Sequence, residues 1–399
     1  MKDEKRKDEL IEFCREMVSR PSLSGDEGEV AHLVAETMRS LKFDQVEMDH
    51  YGNVIGRMIF AEGGPRVLFE GHMDHVDVGN REAWSRDPYG AEVSEGRVWG
   101  RATSDMKGAL AAMVIAADLL RAKGKRLRGE LIVAGSVHEE CFEGVASESI
   151  ANLTSPDYVV IGEASGLSLM RGQRGRAEIV METYGKSAHS SNPSVGLNAI
   201  KTMLPLLLNV EKEFIPHTHP FLGEGILEVT DIISLPYPGA SVIPDRCRVT
   251  FDRRLLAGET QDQVLAQIRR IVRGVAAFEP KLKADAYIAA ESAKCYTGET
   301  IRAERFAPGW LFEEGHPFVR MALAGLRSAG LDPGISRYSF CTNGSYYAGK
   351  AGIPTVGFGP SREELAHVVD EYIEIEQLVS ACEGYAGIAE SVLSKGEGK

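Results

Sequence analysis

The chain has 399 residues, more than one hydrophobic core usually serves, and it is expected to divide into two domains. A formal net charge of −13 excludes any general attraction to nucleic acid or to anionic membrane surfaces. Six scattered cysteines (Cys14, Cys141, Cys247, Cys295, Cys341, Cys382) form no CxxC pair, which excludes a Cys-rich zinc site and a dithiol redox motif.

The opening MKDEKRKDEL is charged throughout and lacks the apolar stretch of a signal peptide. No segment approaches the roughly 20 apolar residues of a membrane span. With free thiols, this predicts a cytoplasmic protein with no membrane partner. A first helix is expected from Asp3 to Ser19, facing inward through Leu10, Ile11, Cys14 and Met17 or Val18 and stopping before Pro21. A second is expected from Asp26 to Leu41 on Val30, Leu33, Val34 and Met38. Gly-bounded apolar runs at Asn53–Ile59 and Arg66–Phe69 read as strands. An Ala-rich helix, Met106–Ala122, and strands at Leu131–Val137 and Tyr158–Ile161 follow. This alternation predicts an α/β domain with a mostly parallel sheet.

Near Arg174 the pattern changes to strand Ala177–Thr183, helix Val195–Val210, strands Gly225–Ile233 and Arg246–Phe251, helix Thr260–Val275 and strand Leu282–Ala289. This β-α-β-β-α-β order is that of a ferredoxin-like α+β unit. The α/β pattern then resumes with helix Pro317–Ala329, strand Thr355–Phe358 and helix Ile375–Leu393, and the SKGEGK tail is expected to fray. The expected organisation is one domain, 1–174 and 296–399, interrupted by a second, 175–295.

Five segments carry candidate chemistry. In VLFEGHMDHVD (67–77) a strand delivers His72 and Asp74, and a His-x-Asp pair lets one imidazole nitrogen bind metal while a carboxylate fixes the other. His75 and Asp77 repeat the pattern, and a polar surface loop would read the same way. GRATSDMKGA places Asp105 before an apolar helix, where an N-cap is the ordinary role. In VAGSVHEECFEG a strand ends in adjacent Glu139 and Glu140; burying both requires a cation or protons, whereas a solvated loop requires neither. Phe142 breaks a zincin HExxH, and Val180 breaks a phosphate loop ending in Gly185-Lys186-Ser187. VVIGEAS ends another strand in Glu163, and GFGPSREELAHVVDEYI carries a late His367, a residue more often structural than functional. Their conjunction carries the weight. Three of the five lie where a strand run gives out, and enzymes with parallel sheets gather ligands at strand carboxyl ends. His and carboxylate without Cys suit a catalytic zinc pair.

With GHMDHVD, GRATSDMKGA, HEE, GEAS and AHVVDEYI in order, the chain resembles the zinc-dependent aminoacylase and carboxypeptidase family, the acetylornithine deacetylase and succinyl-diaminopimelate desuccinylase group. The resemblance spans nearly the whole chain. It implies that the inserted unit is a dimerisation domain, making a homodimer the expected assembly. It implies two zinc ions per chain, with cobalt or manganese as substitutes: His72 and Glu163 on one, Glu140 and His367 on the other, Asp105 bridging. Asp74 would orient His72, Glu139 would be the general base, and His75 and Asp77 would not bind metal. A non-proline cis peptide is expected at Asp105–Met106. In TYGKSAHSSNP, His189 would reach across the dimer to the oxyanion. SVIPDRCRVTFDRR would supply a substrate-binding Arg254, with Arg174 a further anchor for a small substrate bearing a free carboxylate.

Two departures bear on substrate. Ser241 replaces the Asn that heads the SVIP segment in many relatives, and FCTNGSYY places Asn343 where many have Asp, near the substrate. The TNG string with IPTVGFGP resembles more narrowly a subgroup of hydrolases linked to selenium metabolism. The expected activity is hydrolysis of an N-acyl amino acid by metal-activated water. Dipeptidase, aminopeptidase or carboxypeptidase action on the same site is the alternative, and a non-catalytic dimeric scaffold a remote one.

Overall fold

A computed structural model describes residues 4–123 and 126–394. The expected helix start at Asp3 and most of the SKGEGK tail lie outside them. The chain forms two compact units, one of Met1–Gln173, Ser292–Arg302 and Trp310–Lys399, the other of Arg174–Glu291 and Ala303–Gly309. The return is more ragged than a single crossing at residue 296. Tyr296 Oη donates to the Gly52 carbonyl at 2.9 Å, within the first unit, whereas Phe306–Ala307 pairs with the Gly175–Tyr184 strand of the second. Arg174 therefore opens the second unit.

The first unit is built on a nine-stranded sheet. Along it lie Gln45–Met48, Val54–Ile59, Arg128–Ser136, Ala61–His72, Tyr158–Ile161, Thr355–Gly357, Leu169–Gln173 and Trp310–Leu311, with Ile335–Tyr338 also pairing on Leu169–Gln173. The four from Arg128–Ser136 to Thr355–Gly357 are mutually parallel, and the flanks antiparallel. Those four are apolar on both faces, as strands covered on both sides must be; Val67, Leu68 and Phe69 are fully buried, as are Leu131, Ile132 and Val133. The Gly108–Ala122 helix is buried almost all round and packs against Ile375–Leu393. The Pro317–Ser328 and Ile375–Leu393 helices approach backbone to backbone, since a Cβ on Gly325 would lie 2.5 Å from the Gly387 carbonyl oxygen.

The second unit holds an antiparallel sheet in the order Ile226–Leu235, Arg246–Leu255, Gly175–Tyr184, Lys283–Ile288, the ferredoxin-like arrangement. Its helices, Ala199–Glu213 and Gln261–Ala276, bury Met203, Leu206, Ile268 and Ile271 in one core with Ile179, Met181, Val249 and Phe251. Thr260 and Gln263 form a capping box on the second helix. Among the described residues, no helix is long and apolar enough to cross a membrane.

Candidate metal centre

The four parallel strands end together, and the carboxyl end of each leads to a candidate ligand. His72 closes one strand, Glu139 and Glu140 follow Ser136, Glu163 follows Ile161, and the longer segment after Gly357 brings His367. Asp105 comes from the turn ahead of the Gly108–Ala122 helix, and its peptide to Met106 is cis.

Asp105 stands at the middle. Its Oδ1 lies 2.9 Å from His72 Nε2 and its Oδ2 lies 2.9 Å from His367 Nε2. Glu140 Oε1 is 3.1 Å from that same His367 nitrogen. On the other side, Glu163 Oε1 is 3.6 Å and Glu139 Oε2 4.0 Å from His72 Nε2. Two triads, His72–Asp105–Glu140 and His72–Glu139–Glu163, each hold their donor atoms within 4.8 Å of one another. Glu139 Oε1 is buried without a hydrogen-bond partner among the described residues.

Without a cation the cluster is electrostatically expensive. Burial pushes Glu139 and Glu163 well above the usual carboxylate range, and neighbouring carboxylates add to it; burial and Asp105 raise Glu140. His72 is raised despite its burial, because Asp105 and Asp74 face it, and Asp105 and then Glu140 lift His367 to about 10. Asp105 itself is lowered against the effect of burial by its two imidazoles. A divalent cation would neutralise this buried set of acids aimed at common points. The set is all His and carboxylate, which fits zinc, cobalt or manganese.

The second His-x-Asp pair is structural. His75 Nε2 accepts the Ser22 N–H at 2.9 Å, burial lowers its pKa to about 4, and Asp77 is exposed. His72 Nδ1 lies 3.0 Å from the Asp74 backbone carbonyl and 3.5 Å from its Oδ1, so both groups of Asp74 face the ring. The carboxylate also accepts the N–H groups of Glu139 and Glu140, both at 3.1 Å, and the Ser24 hydroxyl at 2.6 Å. Asn343 needs a correction. It is buried, donates to Glu70 Oε1 at 2.7 Å and Ser136 Oγ at 2.9 Å, and accepts from Gly144 N–H at 2.6 Å, leaving no donor for a substrate. Sequence reasoning missed Glu371. This buried carboxylate pairs with Arg101 at 2.6 Å and accepts the Ser104 N–H at 2.8 Å, bracing the turn that carries Asp105. Its only signal was its place four residues after His367.

In the second unit His189 is exposed, and its Nδ1 accepts the Ser191 N–H at 3.1 Å. Arg254 is partly exposed beside Asp252, while its neighbour Arg253 is buried against Glu259, as strand alternation requires. Arg174 Nη1 donates to the Glu224 carbonyl at 2.9 Å.

The model of peptidase family M20/M25/M40 matches residues 68–391. The chain belongs to that family. It is therefore a metal-binding hydrolase acting on amide bonds, as the M20 deacylases and peptidases are. The uncharacterized protein YgeY of Escherichia coli strain K12 is 35% identical, over 98% of this chain and 97% of that one. Acetylornithine deacetylase of Vibrio vulnificus is 26% identical, over 92% and 94% respectively. Among solved structures, the Bacillus subtilis YXEP protein, a dinuclear metal-binding peptidase of the M20 family, superimposes with a TM-score of 0.72 at 15% identity, over 98% of this chain and 99% of that one.

Proposed function

We propose that this M20 hydrolase is a two-metal deacylase that cleaves an N-acyl amino acid. The observation that carries the reading is Asp105, whose two carboxylate oxygens each face a different histidine at 2.9 Å. In this reading His72, Asp105 and Glu163 hold one cation, and Asp105, Glu140 and His367 hold the other. A bound pair would polarise the scissile carbonyl and lower the pKa of a water.

The chain's own residues supply the rest. Glu139 is buried beside the ligands with one oxygen unpartnered, and its raised proton affinity suits a base that must also act as an acid. It takes a proton from the attacking water. The water oxygen bonds to the carbonyl carbon, the C–N bond breaks, and Glu139 passes its proton to the departing amine. His189 serves as a donor to the oxyanion. Arg254 and Arg174 pair the free carboxylate of the substrate. The second unit pairs with a second copy of the chain, giving a homodimer. Similarity to an acetylornithine deacetylase supports the deacylase choice.

The test is amine release from N-acetyl, N-succinyl, N-formyl and N-carbamoyl amino acids and simple dipeptides, with zinc or cobalt added. Preference for one acyl class supports the reading, and preference for dipeptides replaces it with a peptidase. Glu139→Ala should keep two metals per chain by elemental analysis while kcat falls about 10²- to 10⁴-fold. Full turnover in a metal-loaded Glu139→Ala protein would remove Glu139 from the role.

A further inference from the structure

The loop between the Arg128–Ser136 strand and the Val145–Thr154 helix carries both Glu139 and Glu140. Buried N–H groups in such a loop have no ladder to join and must find other acceptors. Four consecutive ones end on side chains from distant parts of the chain. Val137 N–H donates to Asn53 Oδ1 at 3.0 Å, His138 N–H to Glu27 Oε1 at 3.0 Å, and the Glu139 and Glu140 N–H groups to the two oxygens of Asp74, both at 3.1 Å. His138 itself has a left-handed backbone, φ +57°, a conformation that costs a non-glycine residue energy and persists only when its surroundings enforce it.

Glu27 is what faces that residue. Its carboxylate is fully buried and forms no ion pair among the described residues. Oε1 also accepts Gly25 N–H at 3.0 Å, and Oε2 has no partner among the described residues. A buried carboxyl group held only by backbone N–H groups, with one oxygen unpartnered, is a poor device for stability, since an apolar or amide side chain of similar size would cost less. The same short segment ties down the neighbouring loop as well. Ser22 N–H donates to His75 Nε2, the Ser22 hydroxyl to the Met73 carbonyl at 2.7 Å, and the Ser24 hydroxyl to Asp74 Oδ2 at 2.6 Å. Residues 22–27 therefore fix, in one piece, the loop bearing Asp74 and the loop bearing Glu139 and Glu140.

We propose that Glu27 is a positioning residue: by accepting the His138 N–H, its Oε1 sets the turn from which the base Glu139 and the ligand Glu140 project. This rests on the two-metal reading for its catalytic consequence, but not for its structural one. Glu27→Gln keeps the accepting oxygen and Glu27→Ala removes it. In metal-free protein, hydrogen exchange over residues 138–140 should be about tenfold or more faster in Glu27→Ala and unchanged in Glu27→Gln. With saturating metal, kcat of Glu27→Ala should fall about 10- to 100-fold at nearly constant KM, while Glu27→Gln stays within about threefold of the parent. Wild-type exchange in Glu27→Ala would overturn the proposal. So would equal impairment of the two variants, which would assign the effect to charge rather than to the accepting oxygen. If Glu139→Ala remains active, the base assignment falls separately, and the exchange measurement still decides the role of Glu27.

Discussion

His75 shows how environment rather than residue type sets a role. It stands three residues after His72 in an identical His-x-Asp context, yet its Nε2 is closed off by the Ser22 N–H and it is almost fully buried. Burial foremost, then Lys107, depresses its pKa to about 4 from an ordinary 6.5. A depressed pKa has a definite consequence for stability. The neutral ring's contribution is complete above about pH 6.5 and is lost as pH falls through about 4, because the unfolded chain takes up the proton first. The contribution at stake is up to about 3 kcal/mol. His75→Gln retains an acceptor for Ser22 but cannot titrate. Urea unfolding at pH 7 and pH 4.5 should therefore show a smaller acid loss in the variant than in the parent. Equal losses would mean that the ring is free to protonate in the folded protein.

At the scale of elements, the loop 136–144 is held at both ends by Asn343, through the Ser136 hydroxyl and the Gly144 N–H. Its third partner, Glu70, is fully buried, and burial pushes it up to about 7. Asn343→Asp would set a second carboxylate beside it, and such a pair must keep a proton. A pair whose pKa is raised on folding stabilises at low pH and loses that stability as pH rises through the folded value. The variant should thus fall behind the parent in melting temperature progressively from pH 5 to pH 8. A constant difference would show that Glu70 is not charged next to position 343. These ties explain what the sequence could reveal. Runs with strong period or caps, such as Gln261–Ala276 with its Thr260 box and the apolar strand ending at His72, are local signals and were readable. The Val145–Thr154 helix was not, for its sequence VASESIANLT is largely small and polar and it starts from a left-handed Gly144. The candidate positions His72, Glu139, Glu140 and Glu163 were legible because a strand run gives out at each, whereas Asp105 and His367 stood out only through the family resemblance. Their braces were not: Asn53, Glu27 and Asn343 lie 84, 111 and 199 residues from the N–H groups they hold. No spacing rule joins such partners, and Asn343 was accordingly read as a substrate ligand.

For the whole molecule, the buried acids link metal to stability. If free metal stands about 1,000-fold above its Kd, chelation should lower the melting temperature by about 10 °C, and an unchanged melt would count against the two-metal reading. Assembly bears on the second unit. The Ile226–Leu235 strand is one edge of the sheet, and Ile226, Val229, Ile232, Ile233 and Leu235 on it are all exposed, as are Ile200, Leu204 and Leu208 on the Ala199–Glu213 helix. An exposed aliphatic edge strand invites pairing with another chain, and a two-fold pairing of like edges is closed, covering that edge in both copies. If that pairing also delivers His189 to the site of the other copy, two inactive chains can complement each other. His189→Ala retains Glu139, and Glu139→Ala retains His189. Neither homodimer should turn over. In a mixed dimer the site on the His189→Ala chain would combine its own Glu139 with His189 of its companion, and that site alone would work. Unfolding and refolding the two variants together at equal amounts should restore about a quarter of parental kcat, since half the dimers are mixed and each has one complete site. No recovery, with mixed dimers demonstrated by differential tagging, would mean that His189 serves the site of its own chain or none. Ile232→Glu, by charging the edge, should give monomers in sedimentation and abolish the recovery together with the dimer.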